Sequence, residues 1–319
     1  MHGKFVISLD FELFWGLAGW AEEKLFGYKP RIEGAVYALK QITELLSKYQ
    51  MKCTIGYVSG IQYNNIEEYL KAAPTERPSY KNQLFSSYEL LLSLVREGKM
   101  PQDLLFRSDA VEMLKKNPFV ELASHTFSHY YALEEGQTVS QFESDIRTAK
   151  EENKKNRIDT VSIIFPRNQI PREYKKICAD CGFTHIRGNE ESLLYRSEST
   201  PSKFDYKRVL RLIDCYINLT GHHSFKTPKR DVLTDVTASR FLRPYSKALS
   251  FLEPLKIRRI KKDMLYAAQH GEIYHLWWHP HNFGVNTLES IAQLKLICEW
   301  FATLRDTFGM ETCFMKDIN

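Results

Sequence analysis

Short apolar runs alternate with amphipathic stretches along most of the chain. Phe5 to Leu9 form the first run, and the segment 30–50 follows with apolar residues on one helical face. Lys52 to Val58 form the next apolar run. A strand, a crossover helix and a second strand in this order predict a parallel sheet wrapped by helices.

The same alternation continues towards the carboxyl end. It predicts further strands at 119–124, 160–165, 183–187, 272–278 and 311–315, and longer helices at 138–155, 171–181 and 288–308. The alternation is interrupted between about 190 and 262, where polar loops and basic helical pieces occur instead. We therefore predict a single domain over residues 1–319 of the α/β class, a distorted (β/α)7-type barrel with a mixed helical and loop insertion at about 190–262.

Composition adds little beyond a globular class. The chain has 319 residues, of which 43% are hydrophobic and 26% charged, and its net charge is +5. This charge is mild for the length and is no evidence for nucleic acid, so we predict no nucleic-acid partner. No run of about 18 apolar residues occurs, so we predict no transmembrane segment. The amino terminus lacks a basic region followed by an apolar one, so we expect a cytoplasmic protein.

Polar residues follow four of the predicted strands. Asp10 and Glu12 end the first strand, and His125-Thr-Phe-Ser-His129 follows the third. Pro166-Arg-Asn-Gln169 follows the fourth, and His279-Pro-His-Asn282 follows the strand at 272–278. Functional residues of α/β folds collect at the carboxyl ends of the strands, so this placement predicts one shared site. The alternative for each is an ordinary polar turn or a packed histidine.

The spacing of the histidines indicates metal binding. Residues four apart lie about 13 Å apart on extended backbone, whereas on one helical turn their Cβ atoms approach to about 5–6 Å. A helical loop after Ser124 would let His125 and His129 reach one ion. With a carboxylate from the first strand end, the set leaves a position open for water, as in catalytic zinc-type sites. Two histidines at this spacing are weak evidence alone, and the acidic strand end strengthens it.

The remaining polar residues suggest acid–base chemistry. Side chains two apart on a strand share a face, so one carboxylate can bind the ion while the other takes a proton from water. His279 is a candidate acid for the leaving group, and His281 could equally be the acid, a substrate contact or a loop histidine. Arg167 could orient and ionise the base carboxylate, its alternative being a surface arginine.

The order of these motifs resembles the polysaccharide deacetylases, the nodulation-type (NodB-like) group of carbohydrate esterase family four. The resemblance covers roughly residues 4–316, with 190–262 largely outside it, and Ser124-His-Thr-Phe-Ser-His129 is its most specific part. It implies a distorted β/α barrel and a divalent metal, most often Zn²⁺ and sometimes Co²⁺ or Ni²⁺. It also implies hydrolytic removal of an N-acetyl group from an amino sugar.

The resemblance assigns roles position by position. Asp10 matches the base, Glu12 the acidic metal ligand, and His125 and His129 the histidine ligands. His279 matches the acid, and Arg167 matches the arginine that orients the base. Two motifs depart from the pattern: the usual adjacent Asp-Asp is here Asp10-Phe-Glu12, and the usual Arg-x-Pro-Tyr is replaced by Phe165-Pro-Arg-Asn168.

The expected substrate is an N-acylated amino sugar, in a polysaccharide, an oligosaccharide or a nucleotide- or lipid-linked precursor. Trp15, Trp20, Trp277 and Trp278 are candidates for stacking on a sugar face, although burial in the core is the alternative, and Asn168 and His281 are candidate polar contacts. Two further hypotheses are a deformylase of a lipid-linked amino sugar and a non-catalytic carbohydrate-binding relative. The basic stretch 256–262 is best interpreted as a solvated helix face, with a pyrophosphate or an anionic membrane as alternatives.

Overall fold

A curled, mainly parallel sheet forms the centre of the molecule. The computed structural model describes residues 2–190, 194 and 206–319. Its strands are β1 (Lys4–Phe11), β2 (Cys53–Tyr57), β3 (Val120–Ser124), β4 (Ser162–Ile163), β5 (His185–Ile186), β6 (Lys229–Arg230), β7 (Thr234–Asp235), β8 (Arg240–Phe241), β9 (Ile273–Trp278) and β10 (Glu311–Cys313).

The strand order is β6-β7-β5-β4-β3-β2-β1-β9-β8, with β10 beside the first half of β1. Among the described strands, the β6–β7 pair is antiparallel and the other pairs are parallel. Asp10 lies opposite Gly56 of β2, and Leu9 lies opposite Trp278 of β9. The carboxyl ends of β1, β2 and β9 therefore meet at one edge of the sheet.

Helices cover the outside of the sheet. They are α1 (Glu22–Glu33), α2 (Ala35–Lys48), α3 (Ile66–Ala72), α4 (Leu90–Arg96), α5 (Ser108–Lys115), α6 (Val139–Lys155), α7 (Arg172–Asp180), α8 (Tyr206–Asp214), α9 (Glu253–His270) and α10 (Thr287–Phe308). Pro30, expected near the start of a helix, lies inside α1. Gly34 separates α1 from α2 where the chain passes Gly284 so closely that a Cβ at Gly34 would lie 2.0 Å from the Gly284 carbonyl oxygen.

Alternate residues of β1 and β9 face opposite sides of the sheet. The outward residues, among them Leu9, Phe11 and Trp278, pack with the helices in the main core. On the inward side, Val6 belongs to a separate apolar cluster with Met315. Because Ser8, Asp10, His275 and Trp277 alternate with the outward residues, the barrel interior changes from apolar to polar towards the carboxyl ends of its strands.

The fold class predicted from the sequence, a distorted β/α barrel, is confirmed. Of the predicted insertion at 190–262, residues 191–193 and 195–205 lie outside the described residues. In its described part, β7 pairs with β5, β8 pairs with β9, and the first half of α9 also lies there. Strands of two residues are too short to produce an apolar period, which explains why the sequence did not reveal them. No helix in the described part of the chain is both long and apolar enough to cross a membrane.

Candidate metal centre

The acidic pair at the end of β1 points into the barrel. Asp10 is 4% and Glu12 7% exposed, while Phe11 between them packs in the outer core. A short 3-10 helix, Leu13–Leu17, turns the chain directly after Glu12. Its Gly16 leaves room for the Glu12 carboxylate, since a Cβ there would lie 2.1 Å from Glu12 Oε1. Two carboxylates thus face one side, as the spacing predicted.

The loop after β3 brings the two histidines together without a helical turn. Thr126 and His129 adopt the left-handed conformation, with φ of 65° and 60°, which is uncommon for residues other than glycine. The ring centroids of His125 and His129 lie 5.0 Å apart. The expected proximity is therefore present, but a loop of two left-handed residues produces it instead of the expected helical loop.

Asp145 of α6 stabilises this loop through hydrogen bonds. Its carboxylate accepts hydrogen bonds from the Phe127 amide (2.7 Å), the Ser128 amide (3.2 Å) and the Ser128 hydroxyl (2.5 Å). Burial raises the pKa of Asp145 to about 6, although the donors from Phe127 and Ser128 oppose the shift. A buried acceptor for three donors can keep the loop in its left-handed conformation.

We expect Asp145→Ala to lower the free energy of unfolding by about 3 kcal/mol, because two backbone amides and a hydroxyl lose their buried acceptor. Urea unfolding monitored by circular dichroism measures the change. Asp159→Ala is the matched control, since the Asp159 side chain is 85% exposed. Equal stability of the Asp145→Ala variant and the wild type would contradict this role.

Glu12, His125 and His129 converge on one point. Glu12 Oε2 lies 2.9 Å from His129 Nε2 and 3.4 Å from His125 Nε2. One ligand atom from each residue lies within 4.8 Å of the others, and all three residues are buried. Among the described residues, these three form the group of acidic, histidine or cysteine side chains with metal-ligand spacing.

The protonation of the histidines suits a metal. His125 Nδ1 lies 2.9 Å from the Ile164 carbonyl oxygen, which can only accept, so Nδ1 carries the proton and the Nε2 lone pair faces Glu12. His125 Nε2 has no hydrogen-bond partner in the described chain. Burial lowers the pKa of His129 to about 4, so its ring is neutral at pH 7. Two neutral imidazoles and a carboxylate are the ligand types that Zn²⁺ binds in catalytic sites.

Both carboxylates are ionised despite their burial. Burial alone would raise the pKa of Glu12, but the neighbouring imidazoles of His279, His125 and His129 hold it well below its ordinary value. Burial also acts to raise the pKa of Asp10, and the Arg187 guanidinium together with His279 holds it below its ordinary value. The site thus presents one carboxylate to the histidines and a second one beside them.

Arg187, directly after β5, binds Asp10 with both ends of its guanidinium. Nη1 donates to Asp10 Oδ1 (2.5 Å) and Nη2 to Asp10 Oδ2 (2.7 Å). Nη1 also donates to Ser8 Oγ, and Ser8 lies 2.8 Å from His275 Nε2. Nη2 donates in addition to Asn168 Oδ1 at 3.0 Å. This fully buried network fixes the orientation of the Asp10 carboxylate.

The expected contact between Arg167 and Asp10 is wrong in this structure. Arg167 donates instead to the Ala18 carbonyl oxygen (2.9 Å), lies 3.4 Å from Glu134 and stacks over the Tyr131 ring. The reason is the turn after β4, where Arg167 and Asn168 are both left-handed, with φ of 52° and 53°. Asn168, predicted as a substrate contact, accepts a hydrogen bond from Arg187 through its side-chain oxygen.

The two arginines give a direct comparison. We expect Arg187→Met to lower kcat about 100-fold, because the Asp10 carboxylate loses the two hydrogen bonds that orient it. We expect it also to lower the free energy of unfolding by about 3–5 kcal/mol, since a buried charge is left unpaired. Arg167→Met, whose side chain is partly exposed, should change kcat by less than about fivefold. A larger loss in Arg167→Met than in Arg187→Met would restore the sequence-based assignment.

His279 faces both carboxylates from the end of β9. Its Nε2 lies 3.7 Å from Asp10 Oδ2 and 3.5 Å from Glu12 Oε1. His281 stacks on it, with ring centroids 4.8 Å apart, and burial together with His279 lowers the pKa of His281 to about 3. His281 is therefore neutral, and His279 is the histidine that reaches the acidic pair.

Two of the predicted sugar-stacking tryptophans lie in the core. Trp15 and Trp278 are both 0% exposed, and Trp15 donates to the Leu105 carbonyl oxygen. Neither ring can stack on a substrate in this conformation. Trp277 faces the site instead, with its ring centroid 4.2 Å from the Arg187 guanidinium and 5.7 Å from the His279 ring. Its position two residues before His279 was a usable signal, because both must lie on the same side of the strand.

Comparison with known sequences finds nothing: no family model and no curated protein matches the chain. Comparison of the fold finds clear similarity. A Mycobacterium smegmatis protein assigned as a polysaccharide deacetylase is similar with a TM-score of 0.60 and 11% identity, over 98% of this chain and 87% of that one. The Puue allantoinase gives a TM-score of 0.53 and 9% identity, over 98% and 88% of the two chains.

The similarity extends to another chemistry. A GH57-type branching enzyme from Pyrococcus horikoshii gives a TM-score of 0.53 and 9% identity, over 99% of this chain and 70% of that one. The chain has the NodB-like fold of the carbohydrate esterase family four deacetylases, as the motifs indicated. Proteins with one fold can have several activities, so the function of this chain has to be inferred from the residues of its site.

Proposed function

We propose that this protein is a metal-dependent hydrolase that removes the N-acetyl group from an amino sugar. The observation that carries the proposal is the convergence of Glu12, His125 and His129, within 4.8 Å of one another, beside the Asp10–Arg187 pair. The NodB-like fold supports it, because the deacetylases with this fold are the proteins that the motifs resemble. Glu12, His125 and His129 would hold the ion, for which Zn²⁺ is the first choice and Co²⁺ or Ni²⁺ are alternatives.

The ion, when bound, would polarise the amide carbonyl and lower the pKa of a water molecule. The protein's own residues supply the proton transfers. Asp10, held by Arg187, accepts a proton from the attacking water. His279 donates a proton to the departing amine as the C–N bond breaks. Water is thereby divided between the products, acetate and a free amino sugar.

Two aromatic rings beside the site suit a sugar substrate. Trp277 lies next to Arg187 and His279, where an aromatic ring can lie against a sugar face. Tyr28 lies at the same edge, with its ring 5.5 Å from that of His281. We infer that these two rings, and not Trp15 or Trp278, contact the substrate. A cytoplasmic location would favour a nucleotide- or lipid-linked precursor.

The test is metal analysis combined with an assay of acid and amine release. Protein purified without chelator should contain one equivalent of a divalent metal. It should release acetate and free amine in equal amounts from at least one N-acetylated sugar in a panel that also contains the N-formyl analogues. Release of formate alone would indicate the deformylase. A metal-free protein that binds sugars and releases neither acid nor amine would contradict the proposal.

A further inference from the structure

A groove of about 600 Å³ runs along the outside of the barrel between α9 and α10. Its floor is apolar and includes Leu265, Leu296 and Trp300. Its edge carries three cations, Arg258, Lys261 and Lys262. This is the basic stretch that the sequence left open, and the structure shows that its charges border an apolar groove, which a fully solvated helix face would not do.

The described carboxylates near the groove do not neutralise its three cations. Its carboxylate, Glu253, lies 2.5 Å from Lys256 and accepts a hydrogen bond from Gln293. Arg258, Lys261 and Lys262 have no acidic partner within 4.0 Å in the described part of the chain. Lys261 instead lies over the Trp300 ring, with its Nζ 5.6 Å from the centroid. Within the described residues, these three positive charges therefore have no carboxylate that competes with an anionic surface.

One end of the groove lies at the same end of the barrel as the metal centre. α9 leads into β9 through a tight turn at Gly271, so its amino-terminal half lies near the carboxyl end of β9, where His279 follows. α10 begins shortly after His279. At the start of these two helices, Phe251 is 74% and Leu288 is 79% exposed. They are the two most exposed large apolar side chains in the described part of the chain.

We propose that this α9–α10 surface, defined as Phe251, Leu288, Leu296, Arg258, Lys261 and Lys262, binds the surface of an anionic phospholipid membrane. The cations meet lipid phosphates while Phe251 and Leu288 enter the boundary between headgroups and acyl chains. A second copy of this chain fits less well, because a symmetric interface would bring the same unpaired cations together. The inference goes beyond the proposed function and does not depend on the metal chemistry.

The test is sedimentation of the full chain with vesicles. Protein should pellet with phosphatidylcholine vesicles that contain about one third phosphatidylglycerol, and not with phosphatidylcholine alone. Raising the salt concentration should weaken binding. The triple variant Arg258→Gln/Lys261→Gln/Lys262→Gln should bind roughly 100-fold more weakly, at about 1 kcal/mol for each cation. Phe251→Ser/Leu288→Ser leaves the charges unchanged but should still bind at least about tenfold more weakly, because the two apolar side chains no longer enter the membrane boundary.

The control removes the same charge elsewhere. Lys154 and Lys176 are exposed on the helices before β4 and β5, and Lys116 is exposed directly after the helix before β3. Lys116→Gln/Lys154→Gln/Lys176→Gln should therefore bind vesicles like the wild type. Three results would overturn the inference. The first is that the wild type does not bind the anionic vesicles. The second is that both triple variants lose the same amount of vesicle binding. The third is that the wild type does not bind vesicles but forms a dimer that the Phe251→Ser/Leu288→Ser variant does not form. Unaltered circular dichroism confirms that each variant is folded.

Discussion

His125→Ala should lose the metal and, with it, nearly all turnover. The predicted ligand set has two imidazoles, His125 and His129, and one carboxylate, Glu12. The variant removes one of the two imidazoles. Because changes to groups that merely orient a ligand cost 10- to 100-fold in metal affinity, loss of a ligand itself should cost about 100-fold or more. A bound metal supplies several kcal/mol of transition-state stabilisation, so kcat should fall by about 10³-fold or more.

The measurement is metal content by mass spectrometry together with amine release. Wild-type protein treated with chelator should lose activity and regain it when the metal is restored, whereas His125→Ala should not regain it at the same metal concentration. His270→Ala is the matched control, because His270 is exposed near the end of α9. A His125→Ala protein with a full equivalent of metal and normal turnover would remove this histidine from the ligand set.

Much of the site was predictable because it depends on the two-residue period of strands. Asp10 and Glu12 were expected to share a face once the apolar run before them was identified as a strand. In the structure Asp10 lies in β1 and Glu12 directly follows it, with Phe11 between them packed in the outer core. Arg187 is the last residue of the strand predicted at 183–187. The expectation that functional residues lie at the carboxyl ends of strands would therefore have identified it as well. The assignment to Arg167 rested on its place after the fourth predicted strand and on the family motif, and both pointed to an arginine that does not bind Asp10.

Other features were beyond sequence reasoning. The left-handed conformation of Thr126 and His129 follows from Asp145, some 16–19 residues further along the chain, and not from local propensity. Helices and long strands depend on local periodicity, whereas this loop depends on a tertiary hydrogen-bond acceptor.

Asp10→Asn should keep the metal and lose turnover. Asp10 lies outside the group formed by Glu12, His125 and His129, so its charge is not required to hold the ion. The amide cannot accept a proton from water as the carboxylate does, and removal of a general base costs typically 10²- to 10⁴-fold, so we expect kcat to fall by about 10³-fold. Metal content and amine release are measured on the same preparation, because Asn pairs less well with Arg187 and the folded fraction must be known.

Three outcomes of this variant separate the hypotheses. Normal metal with lost turnover supports Asp10 as the base, and Asp306→Asn, at an exposed position, should then behave like the wild type. Loss of both metal and turnover would make Asp10 a ligand. Unchanged turnover would exclude it as the base. If sugar binding survives both Asp10→Asn and His279→Ala while even the wild type releases no acid or amine, the site is a carbohydrate-binding one, and the buried Arg187–Asp10 pair then serves structure alone.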